Sequence, residues 1–189
     1  YKTENYGRSW KRLDGDLPED TFVRVVREDP DRKGLLYAGT EAGMFISFDD
    51  GKNWQSFVQN MPSVPITDLA LRQGSLVAAT QGRGFWLVDD LSIMHQVTDD
   101  MSKSNLNVFT PRSASLESGG GRSGDLEAPN PAIGAAISYY LPEDSEETLS
   151  IDILNAAGDV IRTFHDSEGE FERCILGKED PRIPISVSY

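Results

Sequence analysis

Cysteine occurs once and histidine twice in 189 residues, and each scarcity closes a route. One thiol, Cys174, cannot form an internal disulfide, so the chain is no disulfide scaffold. It sits in ERCILG with no histidine nearby, which suits a packed structural thiol better than a nucleophile. His95 and His165 lie 70 positions apart, without the HExxH spacing of a zinc helix. No run of 18 apolar residues exists, so no membrane-spanning helix is expected. Basic residues are also short: 18 against 31 acids gives a net charge of -13, which opposes the phosphate neutralisation that nucleic-acid binding needs. The first residues, YKTENYGRSW, hold neither an initiating Met nor an apolar signal segment. What is present is 38% hydrophobic content, enough for packed cores.

Those apolar residues repeat. LLYAGTEAGMFISFDDG (35–51) laid over SLVAATQGRGFWLVDDL (75–91) matches Thr40 with Thr80, Phe45 with Phe85, Asp49 with Asp89 and Asp50 with Asp90, at a constant offset of 40. TENYGRSW (3–10) laid over SFDDGKNW (47–54) matches Thr3 with Ser47, Asn5 with Asp49, Gly7 with Gly51 and Trp10 with Trp54, at an offset of 44. A period of about 40 to 45 residues made of short strands is that of a propeller blade, a four-stranded antiparallel sheet. FVRVVRE (22–28), LLYAGT (35–40), MFIS (44–47) and WQSF (54–57) supply one set of strands, separated by turn formers. ITDLAL (66–71), LVAAT (76–80) and GFWLVD (84–89) supply the next, with an outer strand expected at NVFT (107–110). WKRL (10–13) is the expected outer strand of a preceding blade.

The composition then changes. SGGGRSGDLEAPNP (118–131) is rich in Gly and Pro without apolar period, and residues 113–131 are expected to be a linker or long loop. Beyond it AIGAAISYYL (132–141), TLSIDILN (148–155) and DVIRTF (159–164), with Gly158 in a hairpin turn, suggest an immunoglobulin-like sandwich over 132–189. The tail GEFERCILGKEDPRIPISVSY completes such a sandwich poorly. The expected fold is therefore all-β: about two propeller blades over 1–112, the linker, then the sandwich segment.

SFDDGKNW invites a catalytic reading that its own chemistry opposes. Asp49 can accept hydrogen bonds from N–H groups of its own turn, Gly51 can take φ > 0, and Trp54 can pack beneath. Asn5 keeps the side-chain oxygen that this needs, whereas a carboxylate mechanism would not tolerate the change. A calcium loop requires a Glu after the turn, and Lys52, Asn53 and Trp54 do not supply one. Adjacent acids such as Asp49 and Asp50 diverge instead of facing each other across a substrate.

The pattern S/T-x-D-x-G-x-S/T/N-W is the Asp-box, or BNR repeat. With VREDPDRKGLLYAGTEAGMFISFDDGKNWQSF and MPSVPITDLALRQGSLVAATQGRGFWLVDDL, residues 1–165 resemble the closing blades and following immunoglobulin-like domain of bacterial sortilin-like, glycosyl hydrolase-like propeller proteins. The resemblance implies that Thr3, Asn5, Gly7, Trp10, Ser47, Asp49, Gly51, Trp54 and, in the degraded copy FWLVDDLS, Asp89 are structural turn residues. It also implies export to the periplasm or cell surface. Two blades cannot close a ring, so the chain is expected to be the C-terminal part of a longer protein, its open faces covered by the missing blades or another copy.

Chemistry, on this reading, belongs to the opposite face, which carries DGDLPED (14–20), TEAG (40–43), VQNMPSVP (58–65) and TQGRG (80–84). Glu41, Gln81 and Arg83 are its candidate binding residues. No catalytic residue, metal or cofactor is expected: GGG at 119–121 lacks a following GK[ST], Ser123 lacks a nucleophile setting, and no sialidase-like set of arginines is present. The expected role is non-catalytic binding of a protein or glycan. The alternative is a piece of a glycoside hydrolase-like enzyme whose carboxylates lie in other blades.

Overall fold

Branched and aromatic residues bounded by turn formers build two antiparallel sheets in the N-terminal half. The computed structural model describes residues 1–57, 59–98, 101, 106–113, 136–140 and 149–165. β1 (Val23–Glu28), β2 (Leu36–Thr40), β3 (Met44–Ser47) and β4 (Gln55–Ser56) form a meander in the order β1-β2-β3-β4. β5 (Ile66–Arg72), β6 (Ser75–Thr80) and β7 (Phe85–Val88) form a second sheet in the order β5-β6-β7. The chain is thus all-β in character with several antiparallel sheets.

Pairing fixes which residues share a face. In the first sheet Val25, Gly39 and Met44 are cross-strand partners, as are Tyr37 and Ile46, so these five lie together. Val26, Ala38 and Phe45, with Leu36 and Ser47, lie on the reverse. The two sheets share an irregularity: the β1–β2 register shifts between Val23 and Val25, and the β5–β6 register between Ile66 and Asp68.

The sheets pack through β5. A Cβ added at Gly39 would lie 2.6 Å from Ile66 Cγ2 and 2.6 Å from Val25 Cγ1, so glycine is what lets this face close on Ile66. Arg27 Nε donates to Leu69 O at 3.0 Å, and its Nη2 pairs with Asp68 Oδ1 at 2.7 Å. Ile66, Leu69, Leu76, Tyr37, Met44 and Ile46 are all buried. On the reverse face Leu36, Ala38 and Trp54 cluster with Leu17 and Phe45.

One expectation changes. NVFT does not extend the second sheet: within it β8 (Asn107–Val108) pairs with β9 (Tyr139–Tyr140), and Phe109 N continues the ladder to Ser138 O at 2.9 Å. The chain after β7 instead turns through buried Leu91 into α1 (Ser92–Gln96), whose Met94 is also buried. The chain falls into two compact units, the first holding Tyr1–His95 and the second beginning at Gln96.

The C-terminal unit holds β8–β9 and the hairpin of β10 (Ser150–Leu154) and β11 (Val160–His165). The Gly158 turn is present, with φ +90° at that glycine. Asn155 Oδ1 accepts from Ala157 N and Asp159 N, both at 2.9 Å. Tyr139 and Phe164 form this unit's core with Leu149, Ile151 and Ile153, and the Arg162 guanidinium lies 4.6 Å from the Phe164 ring centre. Of the expected linker, all but residue 113 falls outside the described residues, as do Cys174 and Ser123.

Candidate functional site

The paired acids of SFDDGKNW are both committed to holding the chain. Asp49 Oδ1 accepts from Ser47 Oγ at 2.9 Å, Lys52 N at 3.1 Å and Asn53 N at 2.9 Å, and Oδ2 accepts from Asn53 Nδ2. Ser47 Oγ in turn accepts from Gly51 N at 2.9 Å. Partial burial pushes the Asp49 carboxyl up, but the bonds from Asn53, Ser47 and Lys52 outweigh this and leave its pKa below the usual aspartate value. Asp50, at φ +64°, points elsewhere: Lys2 Nζ donates to its two oxygens at 2.7 and 2.6 Å.

The first copy repeats these bonds with an amide in place of the carboxylate. Thr3 Oγ1 donates to Asn5 Oδ1 at 3.1 Å, Gly7 N donates to Thr3 Oγ1 at 2.8 Å, and Ser9 N donates to Asn5 Oδ1 at 2.9 Å. Even the backbone agrees: Tyr6 and Gly7 take φ +56° and +85°, where Asp50 and Gly51 take +64° and +81°. Lys2 and Lys11 close the hairpin by mutual backbone bonds of 2.8 Å. The tryptophans differ. Trp54 is 7% exposed and donates Nε1–H to Leu13 O at 3.0 Å, whereas Trp10 is 60% exposed. Trp10 therefore does not pack as expected from Trp54, because no sheet lies beneath its hairpin among the described residues.

The degraded third copy shifts by one residue. Gly39 pairs with Met44, but Ala79 pairs with Phe85, so the β6–β7 loop is one residue longer than the β2–β3 loop. Phe45 therefore corresponds to Trp86, not Phe85, and Asp49 to Asp90, not Asp89. The backbone bonds agree: Asp50 N donates to Gly34 O at 2.9 Å, and Leu91 N donates to Gly74 O at 2.8 Å. Asp90 Oδ1 accepts from Ser92 N at 2.8 Å, while Asp89 contributes its carbonyl to Ser75 Oγ at 2.7 Å.

At the other end of the sheets two of the candidate binding residues, Glu41 and Gln81, hold equivalent loop positions, and Arg83 lies in the same loop as Gln81. Glu41 N donates to Phe22 O at 3.3 Å, and Gln81 N donates to Pro65 O at 2.9 Å, so both residues occupy the same place in their sheets. Thr40 and Thr80 hydroxyls each donate 2.8 Å bonds across their loops, to Gly43 O and Gly84 O. Ser63 Oγ donates to Ala42 O at 3.0 Å, which brings the 59–65 connection to this end as well. Gln81 and Arg83 are exposed and Glu41 is half-buried.

One polar cluster was missed from the sequence. Asp29, 3% exposed, accepts from Asp31 N at 2.9 Å, Arg32 N at 3.2 Å and Tyr37 Oη at 3.3 Å, and His95 Nε2 lies 3.0 Å from both of its oxygens. Burial, then the Asp29 charge and hydrogen bond, push the Tyr37 hydroxyl far up, so it stays protonated and donates. Asp29, Asp31 and His95 have metal-ligand chemistry and lie close together, but Asp29 is already spent on four protein donors. Nothing local marks such a contact, since its members come from positions 66 apart.

No protein-family model, curated protein or solved structure matches this chain. Among the described residues no helix is long and apolar enough to cross a membrane.

Proposed function

We propose that residues 1–91 are successive blades of a BNR-repeat propeller, and that the chain is a non-catalytic binding portion of such a protein. The observation that carries this is the recurrence of one bonding pattern, Ser47-Asp49-Gly51-Asn53 and Thr3-Asn5-Gly7-Ser9, on hairpins 44 residues apart. The shared register shift in the two sheets supports it further. With the box acids spent on their own turns, binding belongs to the end that carries Glu41, Gln81 and Arg83, and the ligand is a glycan or a protein met outside the cell. The C-terminal unit is read as an immunoglobulin-like accessory.

The test is a glycan array probed with the chain beside an assay for released reducing sugar. Selective binding that falls at least tenfold in the Glu41→Ala, Gln81→Ala, Arg83→Ala triple variant, with unchanged thermal unfolding and no sugar release, is the expected result. Release of reducing sugar by the chain would overturn the non-catalytic reading. Binding insensitive to the triple variant would remove the proposed face.

A further inference from the structure

The packing of the two sheets leaves one copy of each packing surface unused. The first sheet turns its Tyr37, Gly39, Met44 and Ile46 face toward the β5 residue Ile66, and Met44 and Ile46 are 4% and 2% exposed. By strand register the same positions in the second sheet are Val77, Ala79, Phe85 and Leu87. There Phe85 is 80% and Leu87 57% exposed. The docking side shows the reverse: Ile66 and Leu69 are 0% and 2% exposed, and the residues that pair identically in the first sheet, Val23 and Val26, are 44% and 45% exposed beside Phe22 at 72%.

One chain thus presents at one end the surface that its own interface uses at the other. We infer that a second copy of this chain docks head to tail, its Phe22, Val23 and Val26 on the Val77, Ala79, Phe85 and Leu87 face of the first. The substitutions at the two surfaces match. Ala79 adds a methyl where Gly39 has none, and Val23 is one methylene smaller than Ile66, which conserves volume across the contact. Ala70 stands where Arg27 reaches across to Asp68, so the new contact buries no arginine. Apolar side chains this exposed on facing surfaces favour association. Such a contact is heterologous: it either closes into a ring or extends. At two sheets per chain, a ring of four to eight sheets takes roughly two to four copies. The inference rests on the sheet packing and not on the binding reading.

Sedimentation equilibrium of the 189-residue chain and two variants tests it. Wild type is expected to show a concentration-dependent mass above 20.9 kDa. Phe85→Glu blocks one surface and Val26→Glu the other, and each variant alone is expected to be a monomer with wild-type circular dichroism and a cooperative thermal unfolding whose midpoint, unlike that of wild type, does not depend on concentration. Mixed in equal amounts, they are expected to form a 1:1 dimer that grows no further, since each retains the surface the other lacks. A monomeric wild type overturns the inference. So does association of either variant alone, and so does a mixture that stays monomeric, as it would if the surfaces paired like with like.

Discussion

Asp49 shows how one side chain can resemble a catalytic group and be a brace. Replacing it with Ala removes the acceptor for two backbone N–H groups, the Ser47 hydroxyl and the Asn53 amide, and is expected to cost about 2 kcal/mol in urea unfolding. Asp49→Asn is expected to cost less, since Asn5 makes the equivalent bonds with an amide oxygen. Acid separates the two chemistries. The Asp49 pKa is lowered on folding, so the unfolded chain binds the proton more readily. The carboxylate's advantage is complete above the ordinary value of 3.8 and is lost as pH falls through the lower folded value. Wild type and Asp49→Asn should therefore converge in stability as pH falls through that lowered folded value, and a gap that stays constant with pH would refute this account. This residue's role was legible in the sequence, because every partner of the Asp49 carboxylate lies within four positions. The failure at Asp89 has the opposite cause: one extra loop residue between β6 and β7 changes the correspondence, and only strand pairing reveals it.

At the scale of elements, β1 to β3 and β5 to β7 match the strands read from the sequence to within a residue or so at each end, because Gly, Asp and Pro clusters bound them. α1 was not read, since five residues are too short to display a helical period. The β8–β9 pairing was not read either, because its partners lie far apart in the chain and no local signal links them. Gly39 belongs to this scale, for it sets how closely two sheets approach. Gly39→Ala places a methyl 2.6 Å from branched side chains at Ile66 and Val25 and is expected to destabilise by about 1–3 kcal/mol. Its counterpart Ala79 faces no other sheet of its own chain, so in the Phe85→Glu monomer Ala79→Ser should change the melting temperature little, and an equal loss at both sites would show that the contact with Ile66 is not the cause.

Across the whole molecule, Asp29 ties the β1–β2 turn to α1, and Arg32 adds a bond to Met94 O. Asp29→Ala strands the buried Tyr37 hydroxyl and removes the acceptor of two partly buried backbone donors, with an expected loss of about 3 kcal/mol by urea unfolding. His95→Ala, whose side chain is 23% exposed, is expected to cost less than half as much. Equal losses would mean that the turn itself does not depend on Asp29. The box turns have a consequence of another kind, in time rather than in space. The side-chain bonds of Thr3, Asn5, Ser47 and Asp49 each span at most four residues, and the Thr3–Ser9 copy keeps the same geometry although it is largely exposed. Loop closures this short belong to the fastest steps available to a chain, far ahead of the meeting of distant strands. Each hairpin can therefore have its register set before any sheet has a neighbour to lean on.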